Sequence, residues 1–93
     1  MKIYLAGPMR GLPDFNFPEF HKYAALLRAE GNEVFNPAEL GLPQNDMRAI
    51  LAVELDWICR EAEAVALMPG WSQSLGARAE AALARALDLK LIG

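Results

Sequence analysis

Cysteine and histidine are almost missing from this sequence, which holds one of each in 93 residues. Cys59 has no partner for an intramolecular disulfide, and a lone cysteine with a lone histidine gives no zinc-type ligand pattern. The expected setting is therefore a reducing cytoplasm, with Cys59 acting as a small hydrophobe near a helix end. A basic cluster is missing too, and nine Lys and Arg against twelve Asp and Glu leave a formal charge of -3. A groove for a nucleic-acid polymer needs a basic patch to meet successive phosphates, so that class of partner is excluded. A single nucleotide needs only one arginine and a few backbone N–H groups. No apolar run approaches the roughly 20 residues that span a bilayer, and no charged segment followed by an apolar one opens the chain, so no membrane association is expected. Repeats, linkers and low-complexity tracts are also lacking. What is present is a 54% hydrophobic chain, long enough for one domain over residues 1–93 with a modest core.

Taken in order, Lys2–Ala6 reads as a short apolar strand broken by Gly7-Pro8-Met9-Arg10-Gly11. Leu12 to Asn16 reads as a loop, and Pro18 suits the first turn of a helix whose inward stripe is Phe20, Tyr23, Ala24 and Leu27, with Gly31 as its stop. Glu33–Asn36 is a second strand, ended by Pro37 and followed by a polar loop. A second helix runs from about Gln44 or Asp46 to Arg60, then a strand at Ala64–Met68, a turn, an alanine-rich helix and a last strand at Lys90–Ile92. Strands alternate with helices, and each crossover is long enough for a right-handed βαβ unit. The expected fold is α/β: a small four-stranded parallel sheet flanked by helices, a flavodoxin- or Rossmann-like three-layer sandwich with strand order 2-1-3-4.

In such a sheet, ligands sit beyond the carboxyl ends of the strands. Strand order 2-1-3-4 places the Gly7–Gly11 loop beside the turn Pro69-Gly70-Trp71-Ser72-Gln73-Ser74-Leu75-Gly76, so Arg10, Ser74, Gly76 and Glu80 are expected to line one crevice. A guanidinium at a glycine loop is suited to clamping an anion. Gly76 lies where a helix starts, at a cost of about 1 kcal/mol against alanine in a helix interior and less in a first turn; something approaching the backbone closely would explain it. On a 3.6-residue period Leu75, Ala79, Ala82, Leu83 and Ala86 share one face of the last helix, with Glu80 flanking that stripe. In the second helix, Ile50, Leu51, Val53, Trp57 and Ile58 are the apolar members. Projection sets Glu54 in the middle of their face and Asp56 nearly opposite. By pattern alone Glu54 is the unusual carboxylate, either buried toward the sheet or facing a subunit partner.

Tyr4-Leu5-Ala6-Gly7-Pro8-Met9-Arg10-Gly11, an aspartate in the helix before the third strand, and Ser74-Leu75-Gly76-Ala77-Arg78-Ala79-Glu80 together resemble the nucleoside 2-deoxyribosyltransferase superfamily. The motifs are most similar to those of its 2'-deoxynucleoside 5'-phosphate N-hydrolase branch, and the chain looks most like the short phage and bacterial members of a deoxyribosyltransferase-like family. The resemblance implies hydrolase or transferase chemistry at an N-glycosidic bond. Glu80 matches the nucleophile, Tyr4 the phenol that orients it, and Asp56 the aspartate that helps protonate the departing base. Arg10, Ser74 and Gly76 match positions that hold a 5'-phosphate, and the loop residues Gly7, Met9 and Gly11 are expected to join them in binding the substrate. Pro8 departs from the pattern by standing where that branch has a phosphate-binding serine. Trp71 either walls the base pocket or packs on its own helix. A nucleoside or nucleotide is the implied partner and a homo-oligomer the implied assembly, with neither a metal nor an organic cofactor. A nucleotide-binding module of the same fold, without turnover, is the alternative expectation.

Overall fold

The computed structural model describes residues 1–93. Four strands, β1 (Lys2–Ala6), β2 (Glu33–Phe35), β3 (Ala64–Leu67) and β4 (Lys90–Ile92), form one sheet in the order β2-β1-β3-β4, and every pairing is parallel. Three helices connect them: α1 (Phe17–Ala29), α2 (Met47–Arg60) and α3 (Leu75–Ala86). The strand alternation decides which helix covers which face. Ile3 and Leu5 of β1 pack with Phe20 and Ala24 of α1, whereas Tyr4 and Ala6 pack with Ile58 of α2 and with Ala77 and Ala84 of α3. Both faces of β1 are thus buried, as a central parallel strand requires, and the three-layer α/β architecture follows. No helix is long and apolar enough to cross a membrane.

Local signals set most of the element ends. Asp46 caps α2 by accepting from the Ala49 N–H at 3.2 Å, and Ser74 caps α3 by accepting from the Ala77 N–H at the same distance. Pro18 lies in the first turn of α1, where a missing N–H costs nothing. The loop expected before α1 is a compact turn in which Asp14, Phe15 and Asn16 all have left-handed backbone, at φ 52°, 53° and 61°. No sequence rule marks three successive non-glycine residues for that region.

The face of α3 differs from the expected one. Leu75 is 82% exposed, and Ala79, Ala82 and Ala86 face outward; only Leu83 of that stripe packs inward. The buried side is Ala77, Glu80, Ala81 and Ala84. Alanines occupy both sides of this helix, so periodicity followed the two leucines, whereas packing followed closeness to the sheet. A row of methyl groups lets α3 lie near β1 and β3, and that closeness is what carries Glu80 in to Tyr4. Enlarging the inner row should be felt directly. Ala81→Leu is expected to destabilise the fold by about 1–3 kcal/mol in urea denaturation, and Ala82→Leu on the outer side by well under 1 kcal/mol. Equal losses at the two positions would contradict this facing.

Candidate functional site

Beyond the carboxyl ends of β1 and β3 lies a cavity of about 310 Å³ lined by 20 residues, half of them hydrophobic. Its floor holds buried polar groups. The Tyr4 hydroxyl donates to Glu80 Oε2 at 2.5 Å, both groups being buried. The Tyr4 ring is fixed by stacking on Phe35, with centroids 5.3 Å apart, and by Trp57 at 6.5 Å. Glu54, 5% exposed on the inner face of α2, brings a second carboxyl beside Glu80 and Tyr4.

No cation offsets these two acids. The ion pairs of the chain, Lys2–Glu61, Arg28–Glu39 and Arg60–Asp56, all lie on the surface. Burial first, then the Glu54 carboxyl, push Glu80 well above the ordinary 4.5, while the Tyr4 hydrogen bond pulls the other way. Burial likewise raises Glu54. Tyr4 is held well above the usual phenol range, by burial and then by the Glu80 and Glu54 charges, so it stays a neutral donor. Two carboxyls sharing so dry a site resist ionising together, so the pair holds its last proton to higher pH than a free carboxyl does. One carboxylate and one carboxylic acid, side by side, can act as nucleophile and proton donor.

Most of the residues singled out in the sequence do meet here. Tyr4, Glu80, Gly7, Met9, Arg10, Ser74 and Gly76 all line the cavity. Arg10 and the start of α3 both line it; the Ala77 N–H is taken by the Ser74 cap, which leaves the Leu75 and Gly76 N–H groups without an intrahelical partner. Gly7 lets β1 and β3 come together at the rim, since a Cβ there would lie 2.9 Å from Met68 Cβ and Sδ. Pro8 packs toward Gly70, whose hypothetical Cβ would be 3.3 Å from the Pro8 ring, so this proline locks two loops together.

Three expected site residues lie elsewhere. Asp56 is exposed on the outer side of α2, where it accepts from Arg60 Nε at 2.8 Å. It is two residues from Glu54, a rotation of about 200°, and cannot share its face. Trp71 is turned away after Gly70, at φ 85°, and packs with the cluster around Ile58 and Ala84 under the Arg85 guanidinium, 5.9 Å from its ring centre. Gly11, at φ 78°, has no neighbour within 4 Å of a hypothetical Cβ and serves a turn leading away from the cavity. Conversely, Pro37, Leu40, Leu42 and Gln44 turn the loop after β2 into a cavity wall, which its polar composition did not announce. Glu54 carried a readable signal, a carboxylate at the centre of an apolar face. No group of three or more His, Cys, Asp and Glu side chains is placed to hold a metal ion.

Over residues 1–93 the sequence matches the model of a domain of unknown function, DUF4406. The chain belongs to the DUF4406 family. A comparison with curated proteins gives no match. The family description carries no activity, so the reading of this DUF4406 domain rests on its cavity.

The carboxyl pair gives the fold a pH dependence whose sign is fixed. Glu54 and Glu80 sit above 4.5 when folded and return near it on unfolding. In the interval above 4.5 the folded chain binds more protons than the unfolded one, so stability falls as pH rises through it. Urea denaturation from about pH 5 to 8 is expected to show that fall, and Glu80→Gln, which removes one titrating group, to flatten it. A wild-type profile that rises with pH, or one unaltered by Glu80→Gln, would contradict a proton-sharing pair.

Proposed function

We propose that the chain cleaves the N-glycosidic bond of a nucleoside or nucleoside 5'-monophosphate, with Glu80 as nucleophile and Glu54, not Asp56, as proton donor. The observation that carries this reading is the buried Tyr4–Glu80 hydrogen bond with a second carboxyl beside it in one cavity. A Glu80 oxygen attacks C1' as the bond from C1' to the base nitrogen opens. The electron pair of that bond leaves with the base, which takes the Glu54 proton and departs neutral. Water then attacks C1' and passes a proton to the Glu54 carboxylate, and the bond to Glu80 breaks to restore its carboxylate. A second base in place of water makes the same steps an exchange reaction. The Tyr4 hydrogen bond opposes the burial and the Glu54 charge that raise Glu80 most, so in the empty site Glu80 resists ionising more than Glu54, and the proton has to pass to Glu54 before Glu80 attacks. Arg10 and the start of α3 are suited to a 5'-phosphate.

Base release from ribo- and deoxyribonucleosides and their 5'-monophosphates, followed by chromatography, tests the assignment. Glu80→Gln is expected to abolish release, Glu54→Gln to reduce it by about 10²–10⁴-fold, and Tyr4→Phe by about 10–100-fold through loss of a hydrogen bond to a charged group. Asp56→Asn should change it by less than about twofold, being outside the cavity. Full activity in Glu54→Gln with loss in Asp56→Asn would reverse the roles given to the two acids. Wild-type protein that binds a nucleotide and leaves it intact would point to a binding module.

A homo-oligomer belongs to the same reading. The outward alanines of α3 and the half-exposed Val53 of α2 offer an apolar surface to a second copy. Light scattering at micromolar concentration should return a mass above 10.2 kDa, and a monomer would count against assembly.

A further inference from the structure

Two carboxamides, Gln44 and Gln73, line the cavity, and the proposed chemistry uses neither. The remaining polar groups of the lining have partners or roles: the Tyr4 hydroxyl donates to Glu80, Glu54 adjoins them, the Ser74 hydroxyl caps α3, and Arg10 is the one cation. Elsewhere in the chain the amides of Asn16, Asn32 and Asn36 each bond to a group of the protein. No such bond holds Gln44. It is half-buried in a wall whose other members, Pro37, Leu40 and Leu42, are apolar, and an amide drawn partly out of water without a partner gives up hydration with nothing in return.

The backbone fixes where Gln44 stands. The Asp46 N–H donates to the Pro43 carbonyl at 3.1 Å and closes a turn with Gln44 in its second position, and Asp46 then caps α2. Met47, Ile50 and Glu54 follow, all lining the cavity; spacings of three and four residues set them on one face of the helix, over two turns and roughly 10 Å. Burial deepens along this row. Gln44 and Met47 are half-buried, Ile50 is 8% exposed and Glu54 5%. Gln44 therefore marks the outer end of a strip whose inner end is the Glu54 carboxyl, with apolar side chains between. Gln73 is exposed and leads into the other helix, α3.

We infer that Gln44 reads the base: with the released ring nitrogen at Glu54 and the flat ring along Ile50 and Met47, the edge of the base remote from the sugar meets the Gln44 carboxamide. The pairing rests on the N-glycosidase reading, which places the base, and adds what that base must carry. An amide presents a donor and an acceptor side by side. It matches an exocyclic amino group next to a ring-nitrogen acceptor, as in adenine, and after a half-turn about its last bond it matches an exocyclic oxo group next to a ring N–H, as in hypoxanthine. Unsubstituted purine has neither group and leaves the amide half-paired. The substrate class is thus a nucleobase with an amino or oxo group at its far edge, with little preference between the two.

Titration calorimetry with the free bases adenine, hypoxanthine and purine tests this without any turnover. Wild type is expected to bind adenine and hypoxanthine within a few-fold of each other, and each about tenfold or more tighter than purine. Gln44→Leu should bring all three to one affinity. Gln44→Glu, whose carboxylate only accepts, should keep adenine ahead of purine and drop hypoxanthine below it, a reversal that a merely structural role would not produce. Gln73→Leu should leave the wild-type ranking in place. Equal binding of the three bases by wild type, a ranking that survives Gln44→Leu, or no binding of any base overturns the assignment. The two readings fail separately. Base release whose preferences are unaltered in Gln44→Leu removes Gln44 and leaves the N-glycosidase standing, whereas a Gln44-dependent ranking in a protein that releases no base keeps the base reader and removes the enzyme.

Discussion

A single hydrogen bond, from the Tyr4 hydroxyl on the central strand to Glu80 on the last helix, is the constraint around which this small fold is arranged. It joins groups 76 residues apart in a nearly dry place, where an unpaired polar atom would cost about 1–3 kcal/mol and an unpaired charge more. Every nearby choice of residue serves it. Phe35 and Trp57 hold the phenol ring, and Ala77, Ala81 and Ala84 keep α3 close enough for a glutamate to reach. Glu54 completes the set at an energetic disadvantage, since a second buried carboxyl without a cation opposes the folded state once both ionise. Two acids kept where hydrophobic groups would pack more stably are what the proposed chemistry at this site accounts for.

The parallel sheet explains where this site lies. The order β2-β1-β3-β4 sends the connections after β1 and β3 to the same end of the sheet, and the glycines at 7 and 70 allow those two loops to interlock through Met68 and Pro8. The loop after β2 closes the third side. Arg10 and the start of α3 line the same cavity as the two buried acids, which is the arrangement on which the proposed orientation of a phosphate-bearing substrate rests.

Much of this was legible in the amino-acid order. The strands were visible as apolar runs broken by Gly and Pro, the second helix was expected to start at about Gln44 or Asp46, and its observed start after the Asp46 cap and the order 2-1-3-4 agree with what was expected. Arg10, Ser74, Gly76 and Glu80 line one cavity as the strand order led one to expect, and Tyr4, singled out by motif similarity, lines it with them. Other features were decided by forces that periodicity does not weigh. Alanine is apolar on either side of a helix, so the buried face of α3 depended on how closely it meets the sheet, and Leu75 was misplaced. Asp56 and Glu54 are two residues apart, and motif similarity favoured the aspartate, whereas the helix projection had already put Glu54 on the apolar face. Trp71 follows Gly70, whose positive φ redirects the chain in a way its flanking residues do not encode. The left-handed run at Asp14–Asn16 has no sequence signature at all.

The central claim is that Glu80 forms a covalent bond to the sugar while the neighbouring acid protonates the base. Intact-protein and peptide mass spectrometry on samples acid-quenched during turnover measures this most directly. The account predicts a glycosyl adduct on the peptide containing Glu80, present in the wild type and lost in Glu80→Gln. Base release with no adduct at any time, or with an adduct on another residue, would contradict it.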